Sequence, residues 1–179
     1  MHDLSIKNVK KNIKILENLE KNSSIDVALA LKLASMECCG WIEEKMHFIL
    51  FVYIDAKVKN KILNEEVKNN IKQKNYSFKY NEFRNKIVAT IGETEIVKIE
   101  GKITKYKNSY FDFEHFKHSL SELKNERDKY AHTYTRSGKK IVTSNSQKLG
   151  FAEIKTRIDY VNKGLNIIQK FINRRCKKK

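Results

Sequence analysis

The chain has 179 residues, enough for a single domain with a real core, and its 40% hydrophobic and 32% charged composition excludes a disordered chain. It has no proline and only six glycines, which points to long helices joined by few tight turns and argues against an all-β fold. The formal net charge of +16 suits a polyanionic partner, although nearly all of it is lysine in a chain rich in Lys, Asn and Ile throughout.

Cys38 and Cys39 are adjacent and Cys176 lies near the end, a spacing that suits neither zinc nor a disulfide framework. A reducing cytoplasm fits this usage. Residues 1–14 carry charges where a signal peptide needs an apolar stretch. The most apolar region, 27–54, contains Lys32, Glu37, Glu43, Glu44, Lys45 and His47 and never reaches the uncharged length of a membrane span.

In chain order, a first helix is expected over about 4–19, with Leu4, Ile6, Val9, Ile13, Leu16 and Leu19 as a loose stripe. Ser23, with Asp26 three residues on, marks the start of a long helix reaching about residue 59. Its first half is apolar on nearly every side, as in the central helix of a bundle. Cys38, Cys39 and Trp41 read as core. Polar helical stretches cover about 62–73 and 80–91. Residues 94–106 fit either a short extra helix or a β-hairpin, given Ile96, Val97, Ile99, Ile103 and Gly101. Residues 108–112 form a connection, with Asp112 as an N-cap.

Two later segments are strongly periodic. Phe113, Phe116, Leu120, Leu123, Arg127, Tyr130 and Tyr134 alternate spacings of three and four, and Phe151, Ile154, Ile158, Val161, Leu165, Ile168 and Ile172 repeat the pattern. Both are read as amphipathic helices with a buried seam, joined by a polar linker over 136–148 with a turn at Ser137-Gly138. The whole chain, 1–179, reads as one all-α domain with a basic tail over 174–179. That tail touches phosphates or is a solvated terminus.

Arg127 stands out because it holds a seam position in an otherwise apolar and aromatic stripe, and burying an unpaired charge is costly. It either serves a ligand or pairs with a glutamate on the long helix. Asp128 and His132 are four apart and share a helix face, so Asp128 is placed to bond the imidazole. Arg127 and His132 are about 140° apart around a helix, so they flank the seam from two sides. An isologous dimer, in which each residue appears twice about the axis, brings such a pair to one substrate. Glu37 lies in an apolar stretch and should have a cationic partner, either Arg127 or His132, or else a Lys or Tyr elsewhere in the core. Glu44 is the reserve. His115 and His118 are spaced for a metal but lack an evident third ligand, and read as surface histidines.

The run Arg127-Asp128-Lys129-Tyr130-Ala131-His132 resembles the Arg-x4-His signature of HEPN domains, including the acidic residue after the arginine and the alanine before the histidine. Tyr134 extends the likeness to Arg-x4-His-x-Tyr, the form found in HEPN toxins paired with nucleotidyltransferase antitoxins. The long helix with Glu37, Gly40, Trp41, Ile42, Glu43 and Glu44 is similar to the early core helix of bacterial HEPN proteins. The resemblance spans about 27–172 and implies a HEPN-like helical bundle that cleaves RNA as a homodimer without metal or other cofactor. It gives His132 the role of general base or acid and Arg127 that of neutralising the transition-state phosphorane. Tyr134 becomes the acceptor of an adenylyl group, or else a packing tyrosine with a wet hydroxyl. The chain is longer than the compact toxins of that group, with an insertion over about 62–107. An antitoxin or another regulatory protein is expected to restrain it.

Overall fold

The computed structural model describes residues 4–73, 78–105, 111–131 and 149–176; the side chains of Tyr130 and Ala131 are outside this description. The described residues form seven helices: α1 (Ile6–Lys21), α2 (Val27–Lys57), α3 (Lys61–Gln73), α4 (Tyr80–Ile91), α5 (Glu93–Lys105), α6 (Phe113–Ala131) and α7 (Phe151–Cys176). The all-α expectation therefore holds. Between its two readings, the 94–106 stretch takes the helical one over its described part, 94–105. Ile96, Ile99 and Ile103 share one buried face of α5, so spacings of three and four outweigh β-branched content.

Local chemistry sets the helix ends. The Asp26 carboxylate accepts from the Ala28 and Leu29 amides at 2.8 and 3.1 Å and starts α2. Ser23 instead sits in the preceding turn, in the left-handed region at φ 55°. Asp112 caps α6 as expected, accepting from the Glu114 amide at 3.0 Å. Gly92, at φ 90°, separates α4 from α5. Arg84 ties these two helices by ion pairs to Glu93 (2.7 Å) and Glu100 (2.9 Å).

One hydrophobic cluster joins α1, α2, α4, α5, α6 and α7. α2 packs against α1, α6, α7, α3 and α4, which is why so much of its circumference is apolar. It is not enclosed all round, however. Leu29, Leu33 and Met36 are exposed, Met36 at 45%, beside exposed Ile15 and Leu19 of α1. No helix among the described residues is long and apolar enough to cross a membrane.

The seams of α6 and α7 meet as the spacing predicts. Phe116, Leu120 and Leu123 are buried in one cluster with Ile154, Ile158, Val161, Leu165, Ile168 and Ile172. The Arg157–Glu122 pair (2.6 Å) and the packing of Phe116 on Gly164 make the two helices antiparallel and fix their register. Gly164 is there for space: a Cβ would lie 2.2 Å from Cδ2 of the fully buried Phe116 ring. Gly164→Ala, which in a free helix adds stability, should here cost roughly 1–3 kcal/mol by overpacking. Denaturant unfolding should show that loss, and adding Phe116→Leu should recover part of it.

Candidate functional site

The buried stripe of α6 runs out of the core at its C-terminal end. Leu123 is fully buried; one turn on, the stripe's next position is Arg127, with 22% of its side chain exposed. A guanidinium at the edge of the core needs partners, and it has three. Its Nη1 lies 2.6 Å from Oε1 of Glu43 on α2. Its Nε and Nη2 both face Oδ1 of Asp128 at 3.4 Å. Its plane lies against the fully buried Phe78, Cζ to ring centroid 4.9 Å.

Asp128 carries the arrangement onward through a hydrogen bond and ion pair with Lys124, one turn back on α6. Charges thus alternate along Lys124, Asp128, Arg127 and Glu43. Partial burial pushes the Asp128 carboxyl up, but Lys124 and Arg127 outweigh it and hold the carboxyl below its usual range. Beneath them, the Cys39 thiol is directed at the Leu123 carbonyl, Sγ to O 3.7 Å. Burial pushes this thiol well above its ordinary value, against the opposing charge of Arg127, so it is a neutral core group at pH 7. Glu126 turns into the interior, 3% exposed; one of its oxygens has Lys129 at 3.4 Å and the other makes no hydrogen bond among the described residues.

Of the residues singled out from the sequence, Arg127 and Asp128 come together. His132 and Tyr134 lie outside the described residues. Glu37 does not partner Arg127: it accepts from Asn12 Nδ2 of α1 at 2.8 Å. The reason is helical geometry, since Glu37 and Glu43 are six apart and so about 120° apart around α2. Glu44 shares Glu37's side, and both line a groove of about 690 Å³ between α1 and α2, with Ile15, Leu33, Met36 and Gly40. His115 and His118 are exposed: His118 pairs with Glu122 at 3.1 Å, and the His115 ring lies against Tyr160 at 4.2 Å. Among the described residues, no group of three or more His, Cys, Asp and Glu side chains is placed to hold a metal.

The expected alternative, a pairing of Arg127 with a glutamate of the long helix, is met by Glu43, which sequence reasoning did not single out for it; Phe78 and Lys124 were missed. Glu43 stands beside Glu44 and Lys45 and looks like part of a solvated run. Phe78 precedes α4 and belongs to no periodic stretch. Lys124 had a usable signal, since it is four residues before Asp128.

No protein-family model, curated protein or solved structure matches the chain.

Because the Asp128 carboxyl is held low, it contributes stability above its unfolded value and loses it as pH falls through its folded value. Asp128→Asn should cost about 1 kcal/mol or less at pH 7, as the site is partly solvated. The Tm difference from wild type should shrink as pH drops from about 5 toward 2.

Proposed function

We propose that the chain is a metal-independent endoribonuclease of the HEPN type, acting as a toxin or anti-phage defence effector. One observation carries this reading. Arg127 holds a seam position at the rim of the core, partly open to solvent and set in a charged network, five residues before His132. A guanidinium fixed by neighbours suits charge that develops on phosphate oxygens.

In the proposed reaction, the 2′-oxygen attacks the adjacent phosphorus as its proton is removed, and the bond from phosphorus to the 5′-oxygen breaks as that oxygen is protonated. The products are a 2′,3′-cyclic phosphate and a 5′-OH. His132 serves as base or acid, since its pKa range matches the working pH. Arg127 offsets the negative charge of the phosphorane, and Asp128 orients its neighbours. Tyr134, where an adenylyl group would be added by a nucleotidyltransferase-like antitoxin, is the proposed point of control. A reducing cytoplasm suits the free thiols of Cys38 and Cys39.

The homodimer belongs to this proposal, and the exposed face of α2 supports it. Leu29, Leu33, Met36 and Gly40 form a stripe, and Glu43, seven residues after Met36, continues it with an offset of about 20°. Two copies meeting along that stripe with their α2 helices parallel about the two-fold axis would bring their Arg127–Glu43 pairs close together. Leu33→Lys combined with Met36→Lys should convert the dimer to a monomer in sedimentation experiments, with the helical content unchanged. A wild type that sediments as a monomer would remove this part of the proposal.

A second reading has its own support. Arg127 is engaged by Glu43, Asp128 and Phe78, as a purely structural arginine would be. A HEPN-like module that binds RNA or a nucleotide without cutting it, or a basic helical interaction protein, would look the same here. The deciding experiment incubates wild type, Arg127→Ala and His132→Ala with mixed total RNA in EDTA and analyses the end groups. Cleavage leaving 2′,3′-cyclic phosphates, lowered at least about 100-fold in each variant, is expected. RNA binding without cleavage would move the assignment to the binding module.

A further inference from the structure

The last turns of α7 pack along α5 and form a basic hollow remote from Arg127. Lys98, Ile99, Lys102, Phe171, Arg174 and Arg175 line it, with a volume of about 250 Å³. Lys98 and Arg175 share a single carboxylate, Glu95, at 3.1 and 2.8 Å. Lys102 and Arg174 make no ion pair among the described residues. Each stands over the Phe171 ring instead, at 5.9 and 5.6 Å from its centroid. Lys10, Lys68, Lys117, Lys124 and Lys155 are differently placed, each meeting a carboxylate. Contact with an aromatic ring fixes a cation's position without neutralising it. Four cations against one carboxylate leave this hollow with an unbalanced positive charge at defined points.

The register of α6 and α7 gives the separation from Arg127. Arg157 is level with Glu122. From there Arg127 is five residues further in one direction and Phe171 fourteen in the other, so the hollow lies roughly 28 Å from Arg127 along the bundle.

We propose that Lys102 and Arg174, held over Phe171, form a second anchor for the phosphate backbone of a single-stranded RNA whose scissile end lies at Arg127. The proposal rests on the preceding reading for the identity of the strand, but not on its cleavage. An anionic membrane fits less well, because the one aromatic ring is covered by cations rather than presented to lipid.

The test is fluorescence anisotropy of the full-length protein with a fully 2′-O-methylated single strand of about twenty nucleotides, across a salt series. Such a strand lacks the attacking hydroxyl, so binding is read independently of cleavage. Lys102→Ala with Arg174→Ala should weaken binding about tenfold near physiological salt. It should also reduce the slope of log K against log salt by about 1.4, the value for two lost phosphate contacts on a single strand. Lys11→Ala with Lys14→Ala removes equal charge from exposed positions on α1 and should leave affinity within about twofold. Unchanged affinity and slope in the Lys102/Arg174 variant, an equal loss in the α1 variant, or no binding by wild type would each overturn the proposal. Loss of binding in the Lys102/Arg174 variant, with no cleavage of ordinary RNA by wild type, would uphold it while removing the nuclease reading.

Discussion

α2 is apolar around most of its circumference, and a 31-residue helix of that kind has to be covered by other helices. Each fully buried Ile or Leu on it, such as Ile42, Ile49 and Leu50, contributes roughly 1.5–3 kcal/mol relative to exposure. α1, α6 and α7 supply most of the cover. Their stripes are shaped by the need to meet α2, and the place where each stripe ends is set by how far α2's apolar surface extends. The Arg127–Glu43 pair interrupts the α6 stripe after Leu123: a charged residue takes a seam position, and α2 offers a carboxylate at the same height.

The electrostatics of that place follow from its partial exposure. A fully enclosed arginine would bear a desolvation penalty that its ion pairs hardly offset. A fully exposed one would gain little from them. With about a fifth of its side chain open, Arg127 is held in position by Glu43, Asp128 and Phe78 and yet has solvent-facing surface. Lys124 completes the alternation of signs, so the network is close to neutral, although the chain as a whole is strongly basic. The hollow over Phe171 differs, because four cations there face one carboxylate.

Periodicity made much of this fold legible. The seams of α6 and α7 and the long α2 lie close to where their apolar residues put them, and α3 and α4 close to the polar helical stretches read at 62–73 and 80–91. Asp112 was readable as a cap because its side chain can reach the amide two residues on. Less was legible where two signals compete or none exists. In α5, β-branched isoleucines and Gly101 suggested a hairpin, but three isoleucines on one helical face decided the outcome. Arg127 could be recognised as a residue in need of a partner, whereas the identity of that partner depends on the rotation and height of α2. A sequence does not display those quantities. Glu37 looked the better candidate because its neighbours are apolar, and it faces α1 instead. The exposed stripe of α2 was hidden for a related reason: composition records that Leu29, Leu33 and Met36 are apolar, not whether a helix covers them.

Gly164 and Phe116 have a mechanical consequence. A glycine inside α7 gives up about 1 kcal/mol of helix propensity, and in return the Phe116 ring seats directly on the backbone of its neighbour. The contact is ring against backbone, with no side chain of α7 between. A change in the angle between α6 and α7 about that contact would be felt most at positions far from it. Arg127, eleven residues from Phe116, rides at the end of a lever of about 16 Å, so a tilt of a few degrees moves the guanidinium by about an ångström. The spacing between this close contact and the charged rim therefore turns a small change of helix angle into a displacement the size of a hydrogen bond's tolerance.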